Sequence, residues 1–355
     1  MRHGITRVEN IEDYRLFDEI IDVRTPAEFA DDHIPGSINC PVLDNDQRIE
    51  VGTLYKQSSP FAAKKIGAAH VSMNIARHLR ETFLGRPKNW RPLIVCWRGG
   101  QRSGAMTYVF RRIGWDAQQL EGGYKIYRRQ VLDRLAELPR RFTFKVICGA
   151  TGSGKSRLLQ ALAERGEPVL DLEALSCHKG SVLGVLPDYP QPSQKMFETR
   201  LLVALQCLDP SRPVLIEAES RKIGTIQVPD ALLETLRAGT CINIEASCAA
   251  RVEFLLRDYD YFLKAPDWLN SRLDVLDQQQ SRVTIKRWQA YARSGEWQAL
   301  VSELLELHYD PLYRRSQKYN FTGFSTAQNL ATDDLSAAGI KALADRIVGH
   351  SSPSE

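Results

Sequence analysis

A cysteine at the end of an apolar run is the first group in this sequence whose setting could support chemistry. Cys96 follows the run 93–95 (Leu-Ile-Val), and Arg98, two glycines and Arg102 come soon after it. Positive charge and loop N–H groups favour the thiolate form of a cysteine and can also bind an anion beside it. The pattern therefore predicts Cys96, Arg98 and Arg102 as catalytic residues in a loop between a strand and a helix.

A second candidate is the stretch GATGSGKS, residues 149–156, which matches the phosphate-loop pattern G-x-x-x-x-G-K-[ST] in full. Such a loop wraps backbone N–H groups around a phosphate, its lysine neutralises phosphate charge, and its serine hydroxyl reaches a Mg²⁺ ion. The predicted phosphate-binding residues are Gly149, Gly152, Gly154, Lys155 and Ser156. The pattern does not identify the ligand, because any diphosphate or triphosphate would suit it.

Two glutamates are candidates for the acidic side of that phosphate site. Glu217 and Glu219 follow the apolar run 213–216, at a point where an aspartate is more usual. We expect either of them to hold metal-bound water or to face the phosphate, and two plain surface glutamates are the alternative. The sequence predicts no certain metal ligand and no permanently bound cofactor, and it is compatible with Mg²⁺.

Positive charge is concentrated in one part of the chain, whose net charge is +4. Residues 51–115 contain twelve Lys or Arg residues and a single acid, Glu81. A block with this imbalance is either a solvated basic face or a surface for a polyanion such as RNA. On the second interpretation, the candidate RNA-binding residues are Lys64, Lys65, Arg77 and Arg80.

These groups need strands and helices to position them, and the apolar pattern predicts two α/β domains with largely parallel sheets. A length of 355 residues also exceeds what one core usually supports. The predicted domains are 1–138 and 142–348, the second becoming helical from about residue 251, and 349–355 is predicted to be a disordered tail. The predicted strands are 19–23, 93–95, 142–148, 167–171, 213–217 and 240–245.

Composition and cysteine usage narrow the class of protein. Hydrophobic residues make up 43% of the chain and charged residues 25%, as in ordinary soluble proteins. The seven cysteines form no C-x-x-C pair, which favours free thiols in a reducing compartment over disulfides or a zinc site. We find no leader-like segment and no apolar run long enough to span a bilayer, so we expect a cytoplasmic protein without a membrane partner.

The first domain resembles the rhodanese family of sulfurtransferases. The resemblance rests on the pattern D-x-R-x-P-x-E-F…H-I-P-G-x-x-N, which this sequence reproduces at Asp22, Arg24, Pro26, Glu28, Phe29, His33, Ile34, Pro35, Gly36 and Asn39. In that family a cysteine ends a central strand and heads a loop whose N–H groups ring its sulfur. Cys96 matches this position, so the resemblance implies a rhodanese-like α/β fold around it.

Two features depart from the common rhodanese pattern. Cys96 and Arg102 are spaced as C-x5-R, one residue longer than the loop of sulfur-carrying rhodaneses and equal to the spacing in cysteine-dependent phosphatases. About 57 residues separate Asn39 from Cys96, which indicates an insertion that carries much of the basic block. The longer loop predicts a phosphate-shaped substrate, and the basic insertion predicts a larger anion nearby.

A rhodanese domain followed by a phosphate-loop domain resembles the bacterial tRNA 2-selenouridine synthase family over nearly the whole chain. Further shared segments are 171–173, 178–181, 191–193, 217–221 and 308–311. The resemblance implies a P-loop NTPase-like second domain with a parallel sheet and a helical C-terminal part.

The same resemblance implies a tRNA-modifying reaction. Selenium from selenophosphate would replace sulfur at C2 of the wobble 2-thiouridine of tRNA, which makes the selenophosphate-producing enzyme a candidate partner. The family also transfers a geranyl group from geranyl diphosphate to the 2-thio sulfur. Geranyl diphosphate offers two phosphates to the loop 149–156, so ATP is not required.

Two other functions stay open from the residues alone. A cysteine-dependent phosphatase with a nucleotide-binding domain fits the C-x5-R spacing, but no evident aspartate serves as its general acid and the basic block is left unexplained. An ATP-dependent RNA kinase or nucleotide switch fits the phosphate loop, with the rhodanese domain used only to bind a partner.

Overall fold

The chain divides into two compact units. The computed structural model describes residues 4–349, with the backbone alone for residues 316–318. One unit runs to Arg134 and includes Ser193–Thr199, and the other comprises Leu135–Pro192 and the chain from Arg200 onward. Each unit is built on its own five-stranded parallel sheet, which confirms the predicted fold class.

The sheet of the first unit places the cysteine loop at its centre. Its strands are β1 (Ile5–Thr6), β2 (Glu19–Asp22), β3 (Ile38–Asn39), β4 (Pro92–Val95) and β5 (Gln118–Leu120). They are parallel and lie in the order β1-β5-β4-β2-β3. All four residues of β4 are buried, and Cys96 follows this strand directly. In parallel sheets, ligands bind beyond the carboxyl ends of such strands.

The sheet of the second unit places the phosphate loop at its centre. Its strands are β6 (Phe144–Gly149), β7 (Val169–Leu170), β8 (Val214–Glu217), β11 (Thr240–Glu245) and β12 (Gly323–Ala331), and a separate hairpin is formed by β9 (Lys222–Ile223) and β10 (Ile226–Gln227). The sheet order is β12-β11-β6-β8-β7, with all neighbours parallel. β6 is therefore central, and its last residue, Gly149, is the first residue of the phosphate loop.

Helices connect the strands of both sheets. In chain order they are α1 (Pro26–Asp31), α2 (Asn45–Gln57), α3 (Pro60–His78), α4 (Gln101–Ile113), α5 (Tyr124–Glu137), α6 (Lys155–Ala163), α7 (Leu172–Ser176), α8 (Gln194–Gln206), α9 (Asp230–Arg237), α10 (Cys248–Asp258), α11 (Asp260–Lys264), α12 (Pro266–Leu273), α13 (Arg282–Ser294), α14 (Trp297–Leu304), α15 (Asp310–Asn320) and α16 (Ala337–Gly349). Within the described part of the chain, none of them combines the length and the apolar character that crossing a bilayer requires.

The predicted insertion is a helical hairpin that packs on its own unit. Helices α2 and α3 form it, and a π turn, Leu79–Phe83, continues α3. The buried Asn74 side chain donates to the carbonyl oxygen of Val42 (3.1 Å) and to Oε1 of Gln47 (2.7 Å), tying the two helices to the preceding chain. The ring of Phe83 packs against Phe110 with centroids 5.1 Å apart. A Phe→Ala change at such a buried site costs about 3–5 kcal/mol, so the hairpin is firmly anchored.

One expectation about the second unit was wrong. The chain from about residue 251 was expected to be helical, but Gly323–Ala331 forms strand β12 and pairs with β11 at the edge of the sheet. The segment reads GFSTAQNLA, with few β-branched residues, and Leu330 is its single buried residue. Its own pattern therefore carries little strand signal, and the pairing with β11 decides its conformation.

The predicted tail and two strand ends also differ from the structure. Helix α16 runs to Gly349, the first residue of the predicted tail, because Ile347 is buried in the core and carries the helix to that point. Residues 350–355 lie outside the described part of the chain. The strand expected at 142–148 is β6, which begins at Phe144, and the strand expected at 167–171 is reduced to Val169–Leu170.

Candidate functional site

The sulfur of Cys96 lies against the start of helix α4. The side chain is buried, its Sγ accepts the backbone N–H of Gly100 (3.2 Å), and it lies 3.0 Å from the hydroxyl oxygen of Ser103. Gly100 is the N-cap of α4, so the sulfur faces the positive end of a 13-residue helix. An N–H donor, a hydroxyl and a helix N-terminus therefore surround the sulfur, which is the setting of an anion-binding loop.

A glutamine on the neighbouring strand orients this loop. The side-chain amide of Gln119 donates to the carbonyl oxygens of Gly99 (2.5 Å) and Gly100 (3.0 Å). In a trans peptide the C=O and N–H point in opposite directions, so holding the Gly99 carbonyl turns the Gly100 N–H toward the sulfur of Cys96. Gly99 has φ +63°, and a Cβ there would lie 2.3 Å from the carbonyl oxygen of Leu120. Glycine is therefore required, and the role of Gln119 was missed because it lies on a different strand.

The two predicted arginines of this loop are placed differently. Arg102 lies beside Cys96 and forms an ion pair with Glu28, whose carboxylate accepts from both terminal nitrogens (2.6 and 3.1 Å). Burial raises the pKa of Glu28, but the hydrogen bonds from Arg102 outweigh it and lower that pKa to about 2. Arg98 is exposed. An anion at this loop therefore meets a fixed Arg102 and a solvent-facing Arg98.

Other residues of the rhodanese pattern form a buried network of contacts beside this site, here called the frame. Asp22 and Arg24 form a buried ion pair of 2.6 Å, and Arg24 also donates to the carbonyl oxygen of Asp32 (2.7 Å). The guanidinium carbon of Arg24 lies 3.9 Å from the ring centroid of Tyr124. The backbone N–H of Tyr124 donates to the carbonyl oxygen of Cys96 (2.9 Å), so this frame reaches the cysteine itself.

The predicted RNA-binding residues all lie on the second helix of the helical hairpin and on the π turn that continues it. Lys64, Lys65 and Arg77 are on α3, and Arg80 is in the π turn that follows it. All four are exposed. The ammonium of Lys65 lies 5.1 Å from the ring centroid of Phe61, which is itself 69% exposed. Basic side chains beside an exposed ring suit a nucleic acid, which offers phosphates and base faces.

The phosphate loop has the conformation that its sequence predicts. Gly154 has φ +78° and caps helix α6, and Gly152 has φ +82°. The ammonium of Lys155 donates to the carbonyl oxygen of Gly149 (2.7 Å), and the backbone N–H of Gly149 donates to the hydroxyl of Tyr313. The lysine thus lies folded over the loop, where a phosphate would compete for its charge.

Four carboxyl groups gather beside the phosphate loop. The hydroxyl of Ser156 donates to Glu173, and the backbone N–H of Glu173 donates to Glu217 (2.9 Å). Burial and neighbouring carboxylates raise the pKa of Glu217 well above its ordinary value and that of Glu219 to about 8. Burial also raises the pKa of Asp171. Such a group favours any bound cation that would offset the crowded negative charge.

The two predicted acids differ in position. Glu219 lines the cavity at the loop, whereas Glu217 is 1% exposed and engages the backbone of Glu173. Within the described residues, no three His, Cys, Asp or Glu side chains are placed to hold a metal on their own. A Mg²⁺ ion at Ser156, Glu173 and Glu219 would need oxygens from a substrate phosphate, as Mg²⁺ sites commonly do. Sequence reasoning assigned Glu173 no chemical role, although it follows a strand of the same sheet.

The cavity at the phosphate loop measures about 680 Å³. The buried Arg251 stabilises the cavity wall at Thr151. Its guanidinium donates to the carbonyl oxygen of Thr151 (3.2 Å) and forms an ion pair with Asp310 (2.7 Å). Lys179 also lines the cavity and pairs with Asp258 (2.6 Å). The shared segment 178–181 is thus part of this cavity's wall, as are His308 and Tyr309 of the shared segment 308–311, which the sequence did not indicate.

A thiol loop on a rhodanese-like sheet and a phosphate loop on a P-loop-like sheet, joined in one chain, define a two-domain class of protein. A family model described as a rhodanese-like domain matches residues 8–130, and one described as a tRNA 2-selenouridine synthase AAA domain matches residues 142–274. The tRNA 2-selenouridine synthase of Alcanivorax borkumensis is 32% identical over 330 residues, which cover 83% of this chain and 88% of that protein. The chain therefore belongs to the tRNA 2-selenouridine synthase family, a family of enzymes, and the resemblance seen in the sequence is confirmed.

Two further matches have narrower coverage. The tRNA 2-selenouridine synthase of Nitrosomonas europaea is 37% identical over 244 residues, 68% of this chain and 63% of that protein, so the match spans less than two thirds of that relative. A crystal structure of the N-terminal domain of an ATP/GTP binding protein from Clostridium difficile 630 is 36% identical. It covers 36% of this chain and 99% of its own, with a TM-score of 0.32.

Proposed function

We propose that this protein replaces sulfur by selenium at C2 of the wobble 2-thiouridine of tRNA. The selenium donor is selenophosphate, and the reaction passes through an S-geranylated tRNA made from geranyl diphosphate. Selenophosphate and geranyl diphosphate are substrates here, not resident cofactors. The setting is the cytoplasm, where tRNA is modified and thiols stay reduced.

The observation that carries this proposal is the presence of two anion-binding loops of different chemistry. The loop at Cys96 combines a thiol, a backbone N–H donor and an ion-paired arginine. The loop at Lys155 has glycines, a lysine and nearby carboxyl groups that suit a diphosphate with Mg²⁺. The loop at Cys96 suits a step that uses a soft selenium nucleophile. The loop at Lys155 suits a step in which diphosphate is the leaving group.

The first step uses the phosphate loop. The 2-thio sulfur attacks C1 of geranyl diphosphate, an S–C bond forms, and the C1–O bond breaks with its electron pair leaving on diphosphate. The uridine loses its N3 proton, so the product is neutral S-geranyl-2-thiouridine. Lys155 and the loop N–H groups stabilise the charge that develops on the departing diphosphate.

The second step uses the thiol loop. Alkylation has turned a poor leaving group into a thiol, so a selenium nucleophile can add to C2 and expel geranyl thiol. With selenophosphate as donor, water then cleaves the P–Se bond and phosphate is released. The selenophosphate tetrahedron suits the loop from Cys96 to Arg102 as a bound anion.

The direct test is mass analysis of nucleosides from tRNA incubated with the full chain. With geranyl diphosphate alone we expect S-geranyl-2-thiouridine, and with selenophosphate added we expect 2-selenouridine. Conversion of 2-thiouridine to 2-selenouridine without any prenyl diphosphate would contradict the two-step route. Hydrolysis of a generic aryl phosphate by Cys96, or ATP turnover that does not depend on Cys96, would instead support the phosphatase or the kinase.

A further inference from the structure

The cavity at the phosphate loop is larger than a diphosphate and has walls of two kinds. Its volume is about 680 Å³. Part of the wall is charged and comes from Lys155, Glu173 and Glu219, whereas another part is aromatic and includes Tyr259 and Tyr309. A diphosphate at the loop would leave the aromatic part for the rest of its ligand.

A second cavity, here called the apolar pocket, adjoins the first. It measures about 70 Å³ and shares four lining residues with the larger cavity: Ser181, Leu255, Tyr259 and Tyr309. Its other ten lining residues are all aliphatic or aromatic. Nine of them come from the helical part of the second unit, for example Phe262, Trp297 and Leu300, and the tenth is Leu183, in the loop before α8. The four shared residues lie between the two cavities, and the space on their far side from the phosphate loop is apolar.

The polar groups at the wall shared by the two cavities are already paired with other groups of the protein. The hydroxyls of Tyr259 and Tyr309 both hydrogen-bond to Ser181, and burial raises the pKa of Tyr309 to about 12, so it is neutral at physiological pH. The ammonium of Lys179 lies 4.2 Å from the ring centroid of Tyr259 and is paired with Asp258. These groups therefore offer little hydrogen bonding to a polar ligand entering the apolar pocket.

We propose that the apolar pocket holds the far end of the hydrocarbon chain of a prenyl diphosphate whose diphosphate lies at the phosphate loop. This inference rests on the proposed function, which requires such a donor. Each buried methylene group is worth roughly a fourfold gain in affinity, so the pocket favours a hydrocarbon ester. The ribose and base of a nucleotide would lose hydrogen bonds with water there and gain none. The pocket thus selects a prenyl ester over ATP.

The test uses Val301, a half-buried residue of α14 that lines the apolar pocket. Val301→Phe fills the pocket and leaves the phosphate loop untouched. The matched control is Val283→Phe on α13, because Val283 is 74% exposed and lines neither cavity. Binding of inorganic diphosphate, dimethylallyl diphosphate, geranyl diphosphate and ATP to the full chain is measured by calorimetry.

Wild-type protein should bind geranyl diphosphate at least ~10-fold more tightly than dimethylallyl diphosphate or inorganic diphosphate. Val301→Phe should remove most of that gain and keep the affinity for inorganic diphosphate, which also shows that the variant is folded. Val283→Phe should change neither affinity. Equal binding of geranyl and inorganic diphosphate by the wild type, or unchanged geranyl diphosphate affinity in folded Val301→Phe, would overturn the inference.

Failure of the proposed function would look different. If geranyl diphosphate binds tightly in a Val301-dependent way but no S-geranyl-2-thiouridine forms on tRNA, the apolar pocket is supported and the reaction is contradicted. If tRNA is geranylated although chain length has no effect on affinity, the reaction stands and the pocket is contradicted. If no diphosphate binds to the wild type, both are overturned.

Discussion

The guanidinium of Arg102 and the carboxylate of Glu28 are joined by two hydrogen bonds, of 2.6 Å (Nη1–Oε2) and 3.1 Å (Nη2–Oε1). Glu28 also accepts the backbone N–H of Thr25 (3.0 Å) and so closes the capping box of α1. One carboxylate therefore stabilises the start of a helix and fixes the arginine beside Cys96. The C-x5-R spacing taken alone would assign that arginine to the substrate only.

This ion pair predicts a pH-dependent loss of stability. The pKa of Glu28 is lowered from its ordinary 4.5 to about 2, since hydrogen bonds from Arg102 outweigh the effect of burial. A depressed folded-state pKa stabilises the protein above the unfolded value, and the contribution is lost as pH falls. The difference in free energy of unfolding between wild type and Glu28→Gln should thus be constant above pH 4.5 and shrink from there toward pH 2.

Urea unfolding at a series of pH values measures that difference. Glu9→Gln is the matched control, because the carboxylate of Glu9 lies 3.6 Å from Arg7 at an exposed position, where an ion pair contributes little. If the difference in free energy of unfolding between wild type and Glu28→Gln stays the same down to pH 2, the carboxylate is not held by Arg102 in solution.

Cys96 is expected to serve the selenium step and not the geranyl step. Cys96→Ser keeps size and hydrogen bonding but removes the soft, nucleophilic sulfur. This variant should accumulate S-geranyl-2-thiouridine tRNA and make no 2-selenouridine, and Arg102→Ala should show the same pattern more weakly. Nucleoside mass analysis gives both products, with the exposed Cys207→Ser as control. Near-normal 2-selenouridine from Cys96→Ser would mean that the thiol does not handle selenium.

Lys155 is expected to serve the geranyl step. Lys155→Ala removes the cation that neutralises the departing diphosphate, so geranylation should fall by about 10²-fold or more. 2-Thiouridine tRNA should then not be selenated, whereas tRNA that already carries the geranyl group should be. Lys222→Ala, an exposed lysine on β9, is the control. Normal geranylation by Lys155→Ala would remove the phosphate loop from the mechanism.

The helical hairpin of α2 and α3 is expected to bind tRNA. Changing Lys64, Lys65, Arg77 and Arg80 to Glu should weaken tRNA binding and flatten its salt dependence, by about 0.7–0.9 in slope for each phosphate that the protein no longer neutralises. Binding of geranyl diphosphate should be unaffected. A control with the same change in net charge reverses Arg7, Arg15, Lys222 and Lys341, which are exposed and lie outside residues 51–115. An equal drop in tRNA affinity in both variants would mean that net charge, and not the hairpin, binds RNA.

Local sequence is sufficient for the features that depend on neighbouring residues. The loop at 149–156 folds as predicted because its glycines, lysine and serine are consecutive and act through their own backbone. Cys96 was predicted at a strand end because the apolar run before it and the glycines after it are local signals. The segment Gly323–Ala331 shows the limit, because its strand conformation depends on pairing with β11.

Packing of distant segments determines which side chains surround each loop. Gln119 orients the cysteine loop from a different strand, and Glu28 reaches Arg102 across 74 positions of sequence. Glu217 and Glu219 are alike in sequence, yet burial makes Glu217 a partner of the Glu173 backbone and leaves Glu219 at the cavity. Local patterns fix backbone conformation through short-range sterics and hydrogen bonds. The partners of a buried charge depend on which distant strands and helices the packed core brings together, and no spacing along the chain encodes that.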